Sequence, residues 1–525
     1  MDFNLADLFE RVADTVPDHL ALVQGDRRLT FAQVDERATR LAHALADRGV
    51  GPGDHVALYL YNSIEYLEGM LAAFKLRAVP INVNYRYVED ELHYLLTDAD
   101  AVAVIFDDEF APKLAAIRSR LPRLKTAIPA GEYEDRLDAA SPDRDFPARS
   151  PDDLYILYTG GTTGMPKGVM WRQADLFFGA MAGAGGGGTP IAAPEEITER
   201  CREPRIRCVP ACPFMHGTAH WMAFSTLFMG GTVIIPTDRH FDAPALWDLV
   251  ARESANYLVI VGDAFARPLL DALDIEPARA LDLGCLHVIL SGGAILSPSL
   301  KRALVERLPT LLIVDGYGAS ETGGQGQSVV VAGSDIPDAP RFRVGDDSCV
   351  LGNDLRPVAP GVVGRLARRG PIPFGYYRDD AKTAATFPVV DGVRWAVPGD
   401  HAVVETDGAI TLLGRGSVSI NTGGEKVYPE EVESVLKGHG GVFDAVVVGL
   451  PDDVWGERVV AVVQPRPGSA PTLDGLQDHA RSHLAGYKLP RELVLVDAIQ
   501  RSPSGKPDYR WAKLVANRTR GTVEA

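Results

Sequence analysis

The segment Leu154–Val169 constrains the fold more than any other stretch of the chain. LYILY is an apolar run of strand length, and it leads straight into TGGTTGMPKGV, with four glycines, three threonines and one lysine between Tyr158 and Val169. Glycine permits φ > 0 and lets backbone N–H groups turn inward. Threonine hydroxyls donate to phosphate oxygens, and Lys167 adds a point charge. The loop is not a Walker A motif, because Pro166 and Gly168 stand where that motif needs glycine before the lysine and Ser or Thr after it. A strand feeding an anion-binding loop belongs in a layered α/β sheet.

The surrounding pattern agrees. Thr30–Arg48 carries Phe31, Val34, Ala38, Leu41, Ala42 and Leu45 at helical spacing and stops at Gly49. His55–Leu60 predicts a strand, Glu65–Leu76 a helix, Ala101–Phe106 a strand and Ala111–Leu121 a helix. Such alternation predicts α/β layers. The glycine-rich stretch Ala182–Ala193 predicts a mobile surface loop. Near Gly414 small and flexible residues accumulate, just before a helix start at Pro429, where Glu430, Glu431 and Glu433 favour the N-terminal dipole. Strand-like Ala445–Val448 and Arg458–Gln464 and a helix over Leu473–Leu484 follow, which predicts a separate α+β unit. The expected division is a large N-terminal unit of layered sheets and helices over 1–414, a hinge at 415–417 and a small mobile unit over 418–525.

Charge and composition limit the function. The 525 residues hold 53 Lys+Arg against 70 Asp+Glu, a net charge of −17. That argues against a nucleic-acid partner, which needs clustered cations. No apolar run approaches the roughly 18–20 residues of a membrane helix. The start MDFNLADLFE lacks a basic n-region and an apolar h-region, and the five cysteines are sparse and odd in number. A cytoplasmic setting is expected. Cys208, Cys212, His216 and His220 recur every four residues, as a zinc-binding helix face would, but Pro210, Pro213 and Gly217 break that helix.

The loop Thr159–Lys167 resembles the phosphate loop of the adenylate-forming superfamily, which comprises acyl-CoA synthetases, peptide-synthetase adenylation domains and beetle luciferases. Gly160 replaces the usual serine. Further segments match in order: GYGASETG at Gly316–Gly323, SGGA at Ser291–Ala294, PGD at Pro398–Asp400, Gly414–Arg415, NTGGEKVYP at Asn421–Pro429 and RSPSGK at Arg501–Lys506. The resemblance implies that Thr159, Gly160, Gly161, Thr162, Thr163, Gly164 and Lys167 cradle phosphates. It implies that Gly293, Ala294, Asp315, Gly316 and Tyr317 border adenine, that Ser320 meets the α-phosphate and that Glu321 holds Mg²⁺. Asp315 stands where many relatives carry an amide. Asp400 and Arg415 would hold the ribose, with Pro398 in place of a threonine. Ser417 would be the hinge, Gly423 and Gly424 would line the CoA thiol tunnel, and Lys506 would drive adenylation. PFMHGTAHW at Pro213–Trp221 resembles the border of the acyl pocket, with His216 near the carboxylate.

The segments MWRQADLFFG, VGDAFARPLL and RSPSGKPDYRWAK are similar to bacterial acyl-CoA synthetases that activate steroid side-chain acids. The expected activity is ATP-dependent ligation of a long-chain or bulky apolar acid to CoA. A stand-alone adenylating enzyme serving a carrier protein, and a non-catalytic nucleotide-binding module, are the rival readings. A homodimer is left open.

Overall fold

In the computed structural model the described residues are 3–521, apart from 160–164, 186–187, 204–205, 277–279, 338–340, 416–417, 423–424, 453–454, 485 and 502–504. The amphipathic segment near the N-terminus forms the helix Phe31–Ala46. Its start is fixed by Thr30, whose side chain accepts from Gln33 N while the Gln33 side chain accepts from Thr30 N. The apolar stripe Phe31, Val34, Ala38, Leu41, Ala42 and Leu45 is buried, as the helical period requires. The next helix, Ile64–Lys75, begins at the Ser63 cap, one residue earlier than the apolar pattern places it.

Two large sheets carry the N-terminal part. A 7-stranded sheet places Val79–Asn82 between His55–Tyr59 and Leu154–Thr159. The strand Lys167–Arg172 then returns antiparallel beside Leu154–Thr159. In the 13-stranded sheet, Arg207–Pro210, Tyr257–Ile260, Val288–Gly292 and Leu312–Ala319 run parallel in that order, and Gly323–Val330 turns back antiparallel. Parallel strands end together, so their C-terminal ends form one edge at which loops can gather. The glycine-rich stretch is a surface loop only in part, with Ala182, Gly188, Thr189, Pro190 and Ala192 exposed. Gly183, Ala184 and Ile191 are buried, because the turn packs beneath the helix Gln173–Ala180.

A third, 5-stranded sheet is built from residues beyond 419. Its long hairpin, Val442–Asp452 with Gly456–Pro465, is flanked by two separate apolar clusters, one against Pro429–Lys437 and Leu473–Arg481 and the other against Tyr509–Gly521. It therefore has its own core. No helix among the described residues is long and apolar enough to cross a membrane.

One polar cluster sits inside the N-terminal core. Lys75 is fully buried and its ammonium meets Glu10 at 2.5 Å and Asp35 at 2.8 Å. Arg149 also binds Glu10, at 2.9 Å, and Arg144 binds Asp35, at 2.8 Å. Removing one member strands buried charge. Lys75→Met is expected to lower unfolding free energy by about 3 kcal/mol in urea titrations.

Candidate functional site

A cavity of about 990 Å³ opens where the strand ends of both large sheets meet the C-terminal unit. Three parts of the chain converge on it. The first is the end of Leu154–Thr159, with Tyr158 and Thr159 in the wall. The second is Gly292–Gly293 with Gly316–Ser320. The third is Val418 and Lys506 through Arg510.

Asparagines set the spacing of the upper wall. Asn82 Oδ1 accepts from Tyr158 N at 2.7 Å, and its Nδ2 donates to the carbonyls of Tyr158 at 2.8 Å and Met215 at 2.7 Å. Asn62 Nδ2 donates to the Cys212 carbonyl at 2.9 Å, and its Oδ1 accepts from Phe214 N at 2.6 Å. Two ends of the 7-stranded sheet thus grip the turn Cys212–Met215 and deliver His216 to the cavity. Neither asparagine carries a sequence signal, since each makes only long-range contacts.

His216 precedes the helix Gly217–Phe228 and lines the cavity. Burial first, then the charge of Lys506, pushes its pKa down to about 3, so the imidazole is neutral at pH 7. His220, one turn into the helix, is enclosed. Its Nδ1 lies 2.6 Å from the Phe214 carbonyl and must carry the proton, so Nε2 accepts from Tyr155 Oη at 2.5 Å. Tyr155 Oη in turn accepts from Trp221 Nε1 at 3.1 Å.

The turn Ala319–Gly323 is held from three sides. Trp171 Nε1 donates to the Ser320 carbonyl at 3.1 Å. Ala319 N donates to Thr322 Oγ1 at 3.0 Å. Arg368, buried, donates to the carbonyls of Thr322 and of Gly179. Gly323 has φ +68, and a Cβ there would lie 2.2 Å from the Gly179 carbonyl, so only glycine fits. Glu321 is 8% exposed and its Oε1 accepts from Tyr376 Oη at 2.7 Å. The Glu321 carboxylate is a hard oxygen donor of the kind Mg²⁺ takes, and it lies in the chain between Ser320 and Gly323, which line the cavity.

Gly293, with φ +88, and Gly316 and Tyr317 face the cavity, and Tyr317 packs its ring 5.7 Å from Phe342. Of the expected contacts, Glu321, Ala294, Asp400, Asp315 and Lys167 are not among the residues that line the cavity. The Asp315 carboxylate does not line the cavity; it is buried against Lys301 Nζ at 2.6 Å, because alternate residues of a strand face opposite sides. Lys167 does not line it either, and its ammonium pairs with Asp379, the residue that caps Asp380–Thr386. Asp400 is buried on the strand Asp400–Val404, directly opposite Arg415, and Ala294 is half-buried beside the Gly262 backbone. Gly160, Gly161, Thr162, Thr163, Gly164, Ser417, Gly423 and Gly424 lie outside the described residues, as does the Arg415 side chain.

The buried histidines make stability depend on pH. The folded pKa of His220, about 4, lies below its ordinary 6.5 through burial. The unfolded chain therefore binds more protons between those values, and stability present above pH 6.5 is lost as pH falls towards 4. His220→Gln is expected to flatten that slope in denaturant unfolding measured at several pH values.

Comparisons with known proteins follow the same division. The model of the AMP-binding enzyme family matches residues 9–378, and that of the AMP-binding enzyme C-terminal domain matches residues 431–506. A Rhodococcus rhodochrous protein named 3-oxocholest-4-en-26-oate–CoA ligase is 46% identical, over 98% of this chain and 96% of its own. The medium-chain acyl-CoA ligase Mig of Mycobacterium avium is 43% identical, over 97% of this chain and 98% of its own. ATP-bound MatB from Rhodopseudomonas palustris superposes with TM-score 0.82 at 27% identity, over 98% of this chain and 99% of its own. With matching models across both units and relatives aligned nearly end to end, this chain belongs to the AMP-binding enzyme family.

Proposed function

We propose that the chain is an ATP-dependent acid–thiol ligase that joins a long-chain or bulky apolar carboxylic acid to CoA. The observation that carries this reading is the position of Lys506. It belongs to the C-terminal unit, yet it lines the same cavity as Thr159, His216 and Gly316–Ser320. The names of the relatives, steroid-acid and medium-chain acyl-CoA ligases, support the substrate class. So does the apolar side of the cavity, where Ala180, Ala182, Cys212, Trp221 and Met222 leave room for hydrocarbon.

A carboxylate is a poor electrophile, and adenylation corrects that. The substrate carboxylate oxygen attacks the α-phosphorus of ATP, the bond to the β-phosphate oxygen breaks, and pyrophosphate leaves. The chain's residues align two anions and offset their repulsion, which is most of what phosphoryl chemistry asks of a protein. Lys506 supplies charge at the α-phosphate and the carboxylate. The neutral His216 hydrogen-bonds at the carboxylate without adding charge. Tyr317 covers the adenine, Asp400 holds the ribose hydroxyls, and the glycine- and threonine-rich loop from Thr159 cradles the outer phosphates. Glu321 would hold Mg²⁺, whose charge neutralises phosphate oxygens when bound. The CoA thiol then attacks the acyl carbon and AMP leaves. That step needs Lys506 out of the way, so the unit beyond a hinge at 415–417 turns and brings the Gly423–Gly424 loop towards the thiol. A cytoplasmic setting fits the supply of ATP and CoA.

Mass spectrometry of products from mixed steroid, fatty and aryl acids with ATP and CoA tests this reading. Acyl-CoA, AMP and pyrophosphate are expected from the steroid or fatty acids; adenylates with no CoA thioester would overturn CoA as the acceptor. Lys506→Ala is expected to slow acid-dependent pyrophosphate exchange about 10²–10³-fold. Ser417→Pro is expected to slow thioester formation more than adenylation, measured as separate half-reactions.

A further inference from the structure

The helix Gly262–Ala272 faces the C-terminal unit and meets it at three points. Asp263 lies 3.4 Å from Lys437 Nζ, Arg267 sits 5.5 Å over the Phe443 ring, and Asp271 lies 3.7 Å from Arg466. The first contact is the enclosed one, with the Lys437 and Asp263 side chains 5% and 6% exposed. Asp263 Oδ1 accepts from Ser297 N at 2.7 Å, and Lys437 is the cation beside Oδ2.

Lys437 also lies 3.6 Å from Asp444 Oδ1. Asp444 accepts from Arg501 Nε and Nη2, each at 2.7 Å. Arg501 Nη1 then donates to the Gly505 carbonyl at 2.8 Å. Gly505 has φ +74, and a Cβ there would lie 3.0 Å from Val261 Cγ1. The contacts therefore close a ring. They leave the N-terminal part at Asp263, pass through Lys437, Asp444 and Arg501, and return to it at Val261 through the residue that precedes Lys506.

We infer that Lys437 is a positioning residue for adenylation, holding the Gly505–Lys506 turn over the cavity by bridging Asp263 and the Asp444–Arg501 pair. The inference rests on the ligase reading above. Asp444, Arg501 and Gly505 belong to one unit and travel together. The Lys437–Asp263 contact crosses between units and exists only while Lys506 faces the cavity. When the units part, Asp263 and Lys437 both regain water, so neither is left as a buried lone charge. Arg267 points the same way: its Nε and Nη2 are buried with no hydrogen-bond partner among the described residues, and separation hydrates them. Lys437 should thus matter to the first half-reaction and not to the second.

The test separates the two half-reactions in the full-length protein, with dodecanoic acid and dodecanoyl-AMP as probes. Lys437→Met is expected to lower acid-dependent ATP–pyrophosphate exchange at least about tenfold, the scale of an uncompensated buried charge. Thioester formation from added dodecanoyl-AMP and CoA should change less than about twofold, within the noise of a substitution that touches nothing relevant. Lys437→Arg should restore much of the exchange, and Asp263→Asn should reproduce the same split from the other side of the contact. Equal loss in both half-reactions, or unchanged exchange in Lys437→Met and Asp263→Asn, would overturn the inference alone. Wild-type protein with no exchange for any acid would overturn the ligase reading and this inference with it.

Discussion

In the proposed reaction two anions meet in the cavity, and the lysine assigned to let them meet comes from the smaller unit, which supplies only one wall of it. Coulomb repulsion between a carboxylate and a phosphate is strong where water is excluded, so the placement of Lys506 governs the rest. The large sheets offer strand ends, glycine turns and a neutral imidazole. Arg343, on the strand Arg341–Val344, is a further cation in the wall. Lys167, at the end of the glycine- and threonine-rich segment, is already paired with Asp379. For Lys506 to reach the cavity the small unit has to dock with accuracy, and the helix Gly262–Ala272 meets it through Asp263 with Lys437, Asp271 with Arg466 and Arg267 over Phe443.

Much of the fold was legible because it is local. The helix Phe31–Ala46 follows from six apolar residues at helical spacing and a Thr30–Gln33 capping box. Ala101–Phe106 reads as a buried strand and is one. Pro429 opens a helix, as its fixed φ allows. That His216, Gly293, Gly316, Tyr317, Ser320 and Lys506 gather at one cavity follows the ordered motifs, which carry what composition and periodicity lack.

What was not legible depends on partners far away in sequence. Asp315 reads as a candidate adenine contact until Lys301 is seen beside it. Asn62 and Asn82 carry no motif, yet they fix the turn before His216 through the carbonyls of Cys212 and Met215. Ala182–Ala193 reads as a surface loop from its glycines, and Gly188, Thr189 and Pro190 are exposed, but small residues also permit close packing, and Gly183 and Ala184 are buried. The bridge from Asp263 to Lys437 joins positions with no motif between them. In each case the sequence offers the residue type and the tertiary fold supplies the reason.

In the proposed cycle one wall of the cavity is not permanent. Val418 and the stretch from Lys506 to Arg510 belong to the unit that turns in the proposed cycle. Whenever that wall withdraws before a thiol arrives, the mixed anhydride faces solvent, and hydrolysis competes with transfer. Such an enzyme, starved of acceptor, would idle as a slow ATP diphosphohydrolase, so the scarcity of thiol in its surroundings would set how much energy it wastes.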